Sequence, residues 1–285
     1  MRKIAAPLAR GPELREANRK FGVGLARAFA GAVFFSLPLL MTMEMWSLGV
    51  SMERWKLALL MAVMLPVLVG LDRYSGFEET STWREDVVDA LVAYAVGFFA
   101  SLLILLVFNV VDLRHPLREV LGKVALQAVP ASFGAVLAAS QLGGGGGEEE
   151  RRKEGVGYAG ELFFMVAGAL FMAFNMAPTE EMILISYTMA PVHAVALALL
   201  SLMVMHGFVY AVEFRGGRSV PEDVSRAGLF LRFSVVGYAL ALGVSAYVLW
   251  TFGRYDGEAF AQGVMSAVVL GFPATLGAAA ARLIL

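Results

Sequence analysis

The chain has 285 residues, 59 % of them apolar and 16 % charged, with a formal net charge of −1 and no cysteine. Its mean hydropathy is +0.70. Soluble domains run at about 25 % charged and about 45–50 % apolar, so the composition excludes an ordinary soluble fold and points to a bilayer. The balanced charge excludes a nucleic-acid partner, and the missing thiols exclude disulfides, thiolate metal sites and a cysteine nucleophile.

In chain order, residues 1–27 form a basic leader carrying Arg2, Lys3, Arg10, Arg15, Arg19, Lys20 and Arg27. The apolar run that follows is too long for a cleaved signal peptide, so it is expected to stay as a first helix. Apolar runs at 28–50, 57–71, 87–111, 124–142, 162–178, 193–212, 228–252 and 259–281 predict eight transmembrane helices. Gly143–Gly147 and the charge run from Glu148 to Glu154 interrupt the series after the fourth, and their composition is that of a solvated linker. The expected organisation is therefore a leader (1–27), a first four-helix unit (28–142), a linker (143–160) and a second four-helix unit (161–285). With the N-terminus inside, sixteen Lys and Arg fall on the cytoplasmic side and six on the other, while Arg232 lies within a span. That asymmetry predicts both termini in the cytoplasm of a cell-membrane protein.

The two units resemble each other. A shift of 137 residues lays Ala30-Gly31-Ala32-Val33-Phe34 over Ala167-Gly168-Ala169-Leu170-Phe171, and Thr42-Met43-Glu44-Met45 over Thr179-Glu180-Glu181-Met182. The same shift pairs Met52 with Met189, and Glu85-Asp86-Val87 with Glu222-Asp223-Val224. At a shift of 143, Pro130-Ala131-Ser132-Phe133-Gly134-Ala135 overlies Pro273-Ala274-Thr275-Leu276-Gly277-Ala278. Matches among Thr, Glu, Asp and Pro are not cheap in so apolar a chain, and they predict an internal duplication. Four spans per copy give both the same orientation, with matching residues either facing across a shared axis or forming two equivalent half-sites.

Some of the repeated features read as architecture. Thr82 with Glu85, and Ser219 with Glu222, have the spacing of a capping box at a helix start. Gly134 with Ala138, and Gly277 with Ala281, have the small-xxx-small spacing that lets membrane helices approach closely. Others point to chemistry. Glu44 is the sole charge between Ala28 and Met52, and its mate Glu181, with Glu180 beside it, stands alone among acids from Leu162 to Val192. An intramembrane carboxylate costs about 2.5–3.5 kcal/mol at the bilayer centre and is seldom kept without use. Pro178, just before the second pair, predicts a helix break, a setting in which transporters hold cations or protons. Thr42 and Thr179 add hydroxyl oxygens two residues before the matched acids, and His206 in span six is a candidate proton relay. The competing reading places Glu44 about 25 Å beyond Arg27, in the outer headgroup layer.

Met41, Met43 and Met45 alternate, a spacing that does not put thioethers on one helical face. No zinc motif, nucleophile motif or cofactor fingerprint is present, so neither an enzyme nor a cofactor is expected. At Leu37-Pro38-Leu39-Leu40-Met41-Thr42-Met43-Glu44-Met45-Trp46, Ala177-Pro178-Thr179-Glu180-Glu181-Met182 and His206-Gly207-Phe208-Val209-Tyr210-Ala211-Val212-Glu213-Phe214, the chain resembles an uncharacterised bacterial family of multi-pass integral membrane proteins, a domain of unknown function. The resemblance implies residence in a bacterial membrane and no particular mechanism. The expectation is thus an all-α polytopic bundle of two parallel four-helix repeats whose partners are the lipid bilayer and protons or small cations. The alternative is a non-catalytic membrane subunit, scaffold or sensor.

Overall fold

The computed structural model describes residues 11–75, 83–112, 114–142, 157–214, 228 and 230–284. Thr82, Ser219, Glu222 and the linker from Gly143 to Glu154 lie outside them, and with them both capping boxes. Among the described residues every regular element is helical. The first half contains α1 (Gly11–Leu40), α2 (Met43–Ser51), α3 (Arg54–Ser75), α4 (Trp83–Val107) and α5 (Leu117–Leu142). The second contains α6 (Tyr158–Met176), α7 (Glu180–Thr188), α8 (Pro191–Phe214), α9 (Val236–Thr251) and α10 (Phe260–Ile284), with a π-helical segment, Phe230–Val235, leading into α9.

Eight of these segments are long and apolar enough to cross a membrane. The chain is a multi-pass integral membrane protein. Helices α2 and α7 have nine residues each, about 14 Å, and cannot span. The run 28–50, expected as one helix, is divided at Met41 and Thr42. Pro38 removes a backbone donor late in α1, and Thr42 then adopts an extended conformation, φ −99° and ψ 131°. The α6–α7 break falls where Pro178 predicts it, with Thr179 extended at φ −70° and ψ 140°. Two other boundaries differ from expectation. Helix α1 begins inside the basic leader, and α5 begins at Leu117 and so carries Arg118, Glu119 and Lys123.

Helix α5 packs against α1, α2, α3 and α4, and α10 against α6, α7, α8 and α9. Close crossing explains why small residues sit there. A Cβ on Gly31 would overlap Ala138 and the Gly134 carbonyl, and one on Gly277 would overlap the Gly168 carbonyl. A Cβ on Gly97 would stand 2.7 Å from the Ser132 nitrogen, so α4 also comes close to α5. Within lipid, where apolar burial supplies little drive, such backbone proximity and its dispersion contacts hold helices together. Helices α4 and α9 end alike. Asn109 (φ 57°) and Gly253 (φ 71°) take left-handed conformations, and the next residues, Val110 and Arg254, donate back to the Leu105 and Leu249 carbonyls.

The halves meet through different faces. Helix α3 packs on α6 and α9, and α5 on α6, whereas α8 finds its main partners within its own half. The Phe171 ring lies 5.7 Å from Phe35 and 6.4 Å from Phe133, and Trp55 lies 5.5 Å from Trp250. Matching residues therefore do not face one another across a closed two-fold joint.

Candidate functional site

Both helix breaks carry an acid in the first turn of the following short helix: Glu44 in α2, and Glu180 with Glu181 in α7. The helix dipole favours a negative charge at that end. Glu44 is half-buried and the other two are exposed. None of the three has a hydrogen bond or ion pair among the described residues. Thr42 and Thr179 do not cap these short helices. Their hydroxyls turn back and donate to carbonyls three residues earlier, Thr42 to Leu39 at 2.9 Å and Thr179 to Met176 at 2.8 Å. Each threonine thereby closes the end of the preceding span.

Long-range donors also reach carbonyls at the breaks. Leu39 accepts from the Gln127 amide at 3.0 Å, and Leu40 from the Trp46 indole N–H at 2.9 Å. In the second half the Arg254 guanidinium donates to Pro178. Among the described residues the three carboxylates and the buried Gln127 Oε1, which has no donor, are unpaired acceptors. Gln127 and Arg254 went unremarked in the sequence, although an amide inside the apolar run 124–142 was a legible signal.

The carboxylates are not brought together. Helix α2 packs on α5 and α7 on α10, each in its own half. His206 lies fifteen residues along α8 from Pro191, about 22 Å, away from both breaks. Its Nδ1 is 3.1 Å from the Ser234 hydroxyl, and its ring meets Phe230 edge-on at 5.2 Å. Both partners belong to the π-helical segment, a type of distortion that often marks functional positions. Arg232, in the same segment, stacks over the Tyr158 ring at 4.5 Å while its carbonyl accepts from the Tyr158 hydroxyl. Met45 is buried whereas Met41 and Met43 are exposed, so the alternating methionines do not converge. No group of three His, Asp or Glu placed to hold a metal ion occurs among the described residues.

A further cluster was missed altogether. Lys56, 6 % exposed, is enclosed where the halves meet. Its ammonium lies 3.7 Å from Glu53 and 3.5 Å from Asp256. The Trp55 and Trp250 rings stand 6.0 and 5.6 Å away. A lysine at a span end ordinarily reaches for water, and that expectation hid it. The loop after α4 holds a second acid: the backbone N–H of Arg114 and then the His115 ring keep the Asp112 carboxyl below the usual carboxylate range.

These features define a polytopic α-helical membrane protein with acids displayed at two broken spans and a histidine–serine pair deeper in one half. Residues 24–285 match the family model described as "Putative integral membrane protein (DUF2391)". The chain belongs to that family. No curated protein and no solved structure matches it.

Proposed function

We propose that this protein moves protons or small cations across the membrane, with Glu44 and Glu181 receiving them at the two helix breaks and His206, oriented by its contact with Ser234, as a proton relay. The observation that carries this reading is the recurrence of one arrangement: a span interrupted at an extended threonine, then in the next turn a carboxylate with no partner among the described residues. Acids at interrupted membrane helices favour ion binding over simple anchoring. Glu180 adds a second carboxylate in the second half.

The same reading takes the halves as duplicated units. Helices α2 and α7 begin and end 137 residues apart, as do the starts of α3 and α8, while the starts of α5 and α10 are separated by 143. The eight spans, an even number, agree with both termini in the cytoplasm of a bacterial inner membrane, the side favoured by the Lys and Arg distribution.

Purified protein in liposomes tests the proposal. Proton or monovalent-cation flux should appear with the wild type and fall at least about ten-fold in Glu44→Gln/Glu181→Gln, a barrier raised by about 1.4 kcal/mol or more, with the helical signal and melting temperature retained. His206→Ala should lower proton flux specifically. One observation favours a second reading, the non-catalytic subunit or scaffold: the acids stand at span ends, in the first turns of α2 and α7. Equal flux in wild type and double variant, or none for any common cation, selects that reading.

A further inference from the structure

We infer that a second copy of this chain docks on α8, repeating between molecules the joint that α3 makes inside one; the inference rests on the duplication described above. Within the chain, α3 meets the second half at three places. A Cβ on Gly70 would overlap the Phe163 ring. Trp55 meets Trp250 edge to face, and Lys56 pairs with Asp256.

The 137-residue shift lays Val192, His193 and Gly207 of α8 over those three residues. There the face is open. Val192 and His193 are exposed, and a Cβ on Gly207 would meet nothing within 4 Å. Only 17 % of the α8 span is buried, against 39 % for α3. A joint between unlike faces leaves one unused face of each kind, and a further copy satisfies both.

Exposed apolar residues on α8, such as Val195, Leu199 and Met203, are equally at home against acyl chains. Two others are not. Gly207 costs its helix about 0.5–1 kcal/mol relative to alanine and gains nothing from lipid, whereas small residues serve where another helix comes close. His193 Nδ1 accepts the Ala190 N–H at 3.2 Å, so Nε2 carries the proton and is a donor.

The complementary face is also present. The matching turns at Asn109 and Gly253, with their bonds back to Leu105 and Leu249, set a 144-residue register from the last turn of α4 onward, under which Asp112 corresponds to Asp256 and Leu106 to Trp250. Phe163 corresponds to Ala26 on α1 by the 137-residue shift. Leu106 and Ala26 are exposed. Every hydrogen bond to the Asp112 carboxyl among the described residues falls on Oδ1, which leaves Oδ2 without one there. His193 of one copy thus meets Asp112 of the next as Lys56 meets Asp256, and Gly207 meets Ala26, small against small.

The absence of native cysteine makes the test clean. His193→Cys and Asp112→Cys proteins, mixed in membranes and treated with a short bis-maleimide, should give a covalent dimer that neither protein gives alone. Trp55→Cys/Trp250→Cys should link within one chain, read by peptide mass spectrometry. Gly207→Leu should abolish the dimer in nanodiscs without lowering the melting temperature of the remaining monomer. A control link with monomer only, or a His193→Cys/Asp112→Cys double variant linking solely within one chain, overturns docking and leaves the halves as described. Failure of the control link as well overturns the joint on which the inference is built. Neither result touches the flux assay.

Discussion

Gly134→Leu is expected to leave little folded protein in the membrane, whereas Gly22→Leu melts at or slightly above the wild type. A side chain on Gly134 would run into the Gly31 carbonyl and stand 2.7 Å from the Phe35 Cβ. Both obstacles are backbone or its first carbon, and no flexible tip can swing aside. Overpacking in an ordinary core costs about 1–3 kcal/mol because side chains shift; here α1 and α5 must separate, and the loss should exceed about 3 kcal/mol. At Gly22 nothing lies within 4 Å of a new Cβ, so leucine adds helix propensity worth about 0.5–1 kcal/mol. Thermal unfolding in detergent, followed by the helical signal, separates the two variants. Equal melting temperatures would mean that α1 and α5 do not cross at these glycines.

Lys56→Glu should be the next most damaging single change, and Lys56→Met nearly silent. The ammonium lies within 4 Å of two acids and its side chain is 7 % exposed. Reversal puts three carboxylates together, each close like-charge pair costing about 4 kcal/mol at an effective dielectric of 20. The exposure of Glu53 and Asp256, 59 % and 72 %, screens part of this, so a net loss of about 3–5 kcal/mol is expected. Methionine keeps the apolar stem between the two tryptophans and leaves both acids in contact with water, so the change should stay within about 1 kcal/mol. Lys56→Glu/Asp256→Lys should recover much of the deficit. A Lys56→Met protein as unstable as Lys56→Glu would show that volume rather than charge matters at this joint.

Most of the architecture was legible because lipid imposes a strong rule. Each apolar run near twenty residues must satisfy its backbone by forming helix, and eight helical spans long and apolar enough to cross occur among the described residues. The positions of Gly134 and Gly277 were legible for the same reason, since few other residues allow such crossings. The first break was not. Pro38 lies four residues before Thr42, and a proline can also be absorbed as a kink, so the apolar run read as continuous. Pro178, directly before Thr179, left no such ambiguity. The acids were found because charge is scarce in apolar sequence, but their surroundings depend on residues far along the chain: Gln127 reaches Leu39 across 88 positions and Arg254 reaches Pro178 across 76. Lys56 was passed over because its burial comes from Trp250 and Asp256, which no local pattern connects to it.

The contrast between interdigitated glycine seams inside each half and the narrower aromatic contact between halves bears on biogenesis. The first five helices hold all the partners their tightest seam requires before α6 has been synthesised, so they can consolidate as the ribosome continues. The later five would then assemble beside a finished neighbour. A lesion at Gly31 would stall the chain early, and one at Gly168 late, leaving an intact amino-terminal half for quality-control proteases to find.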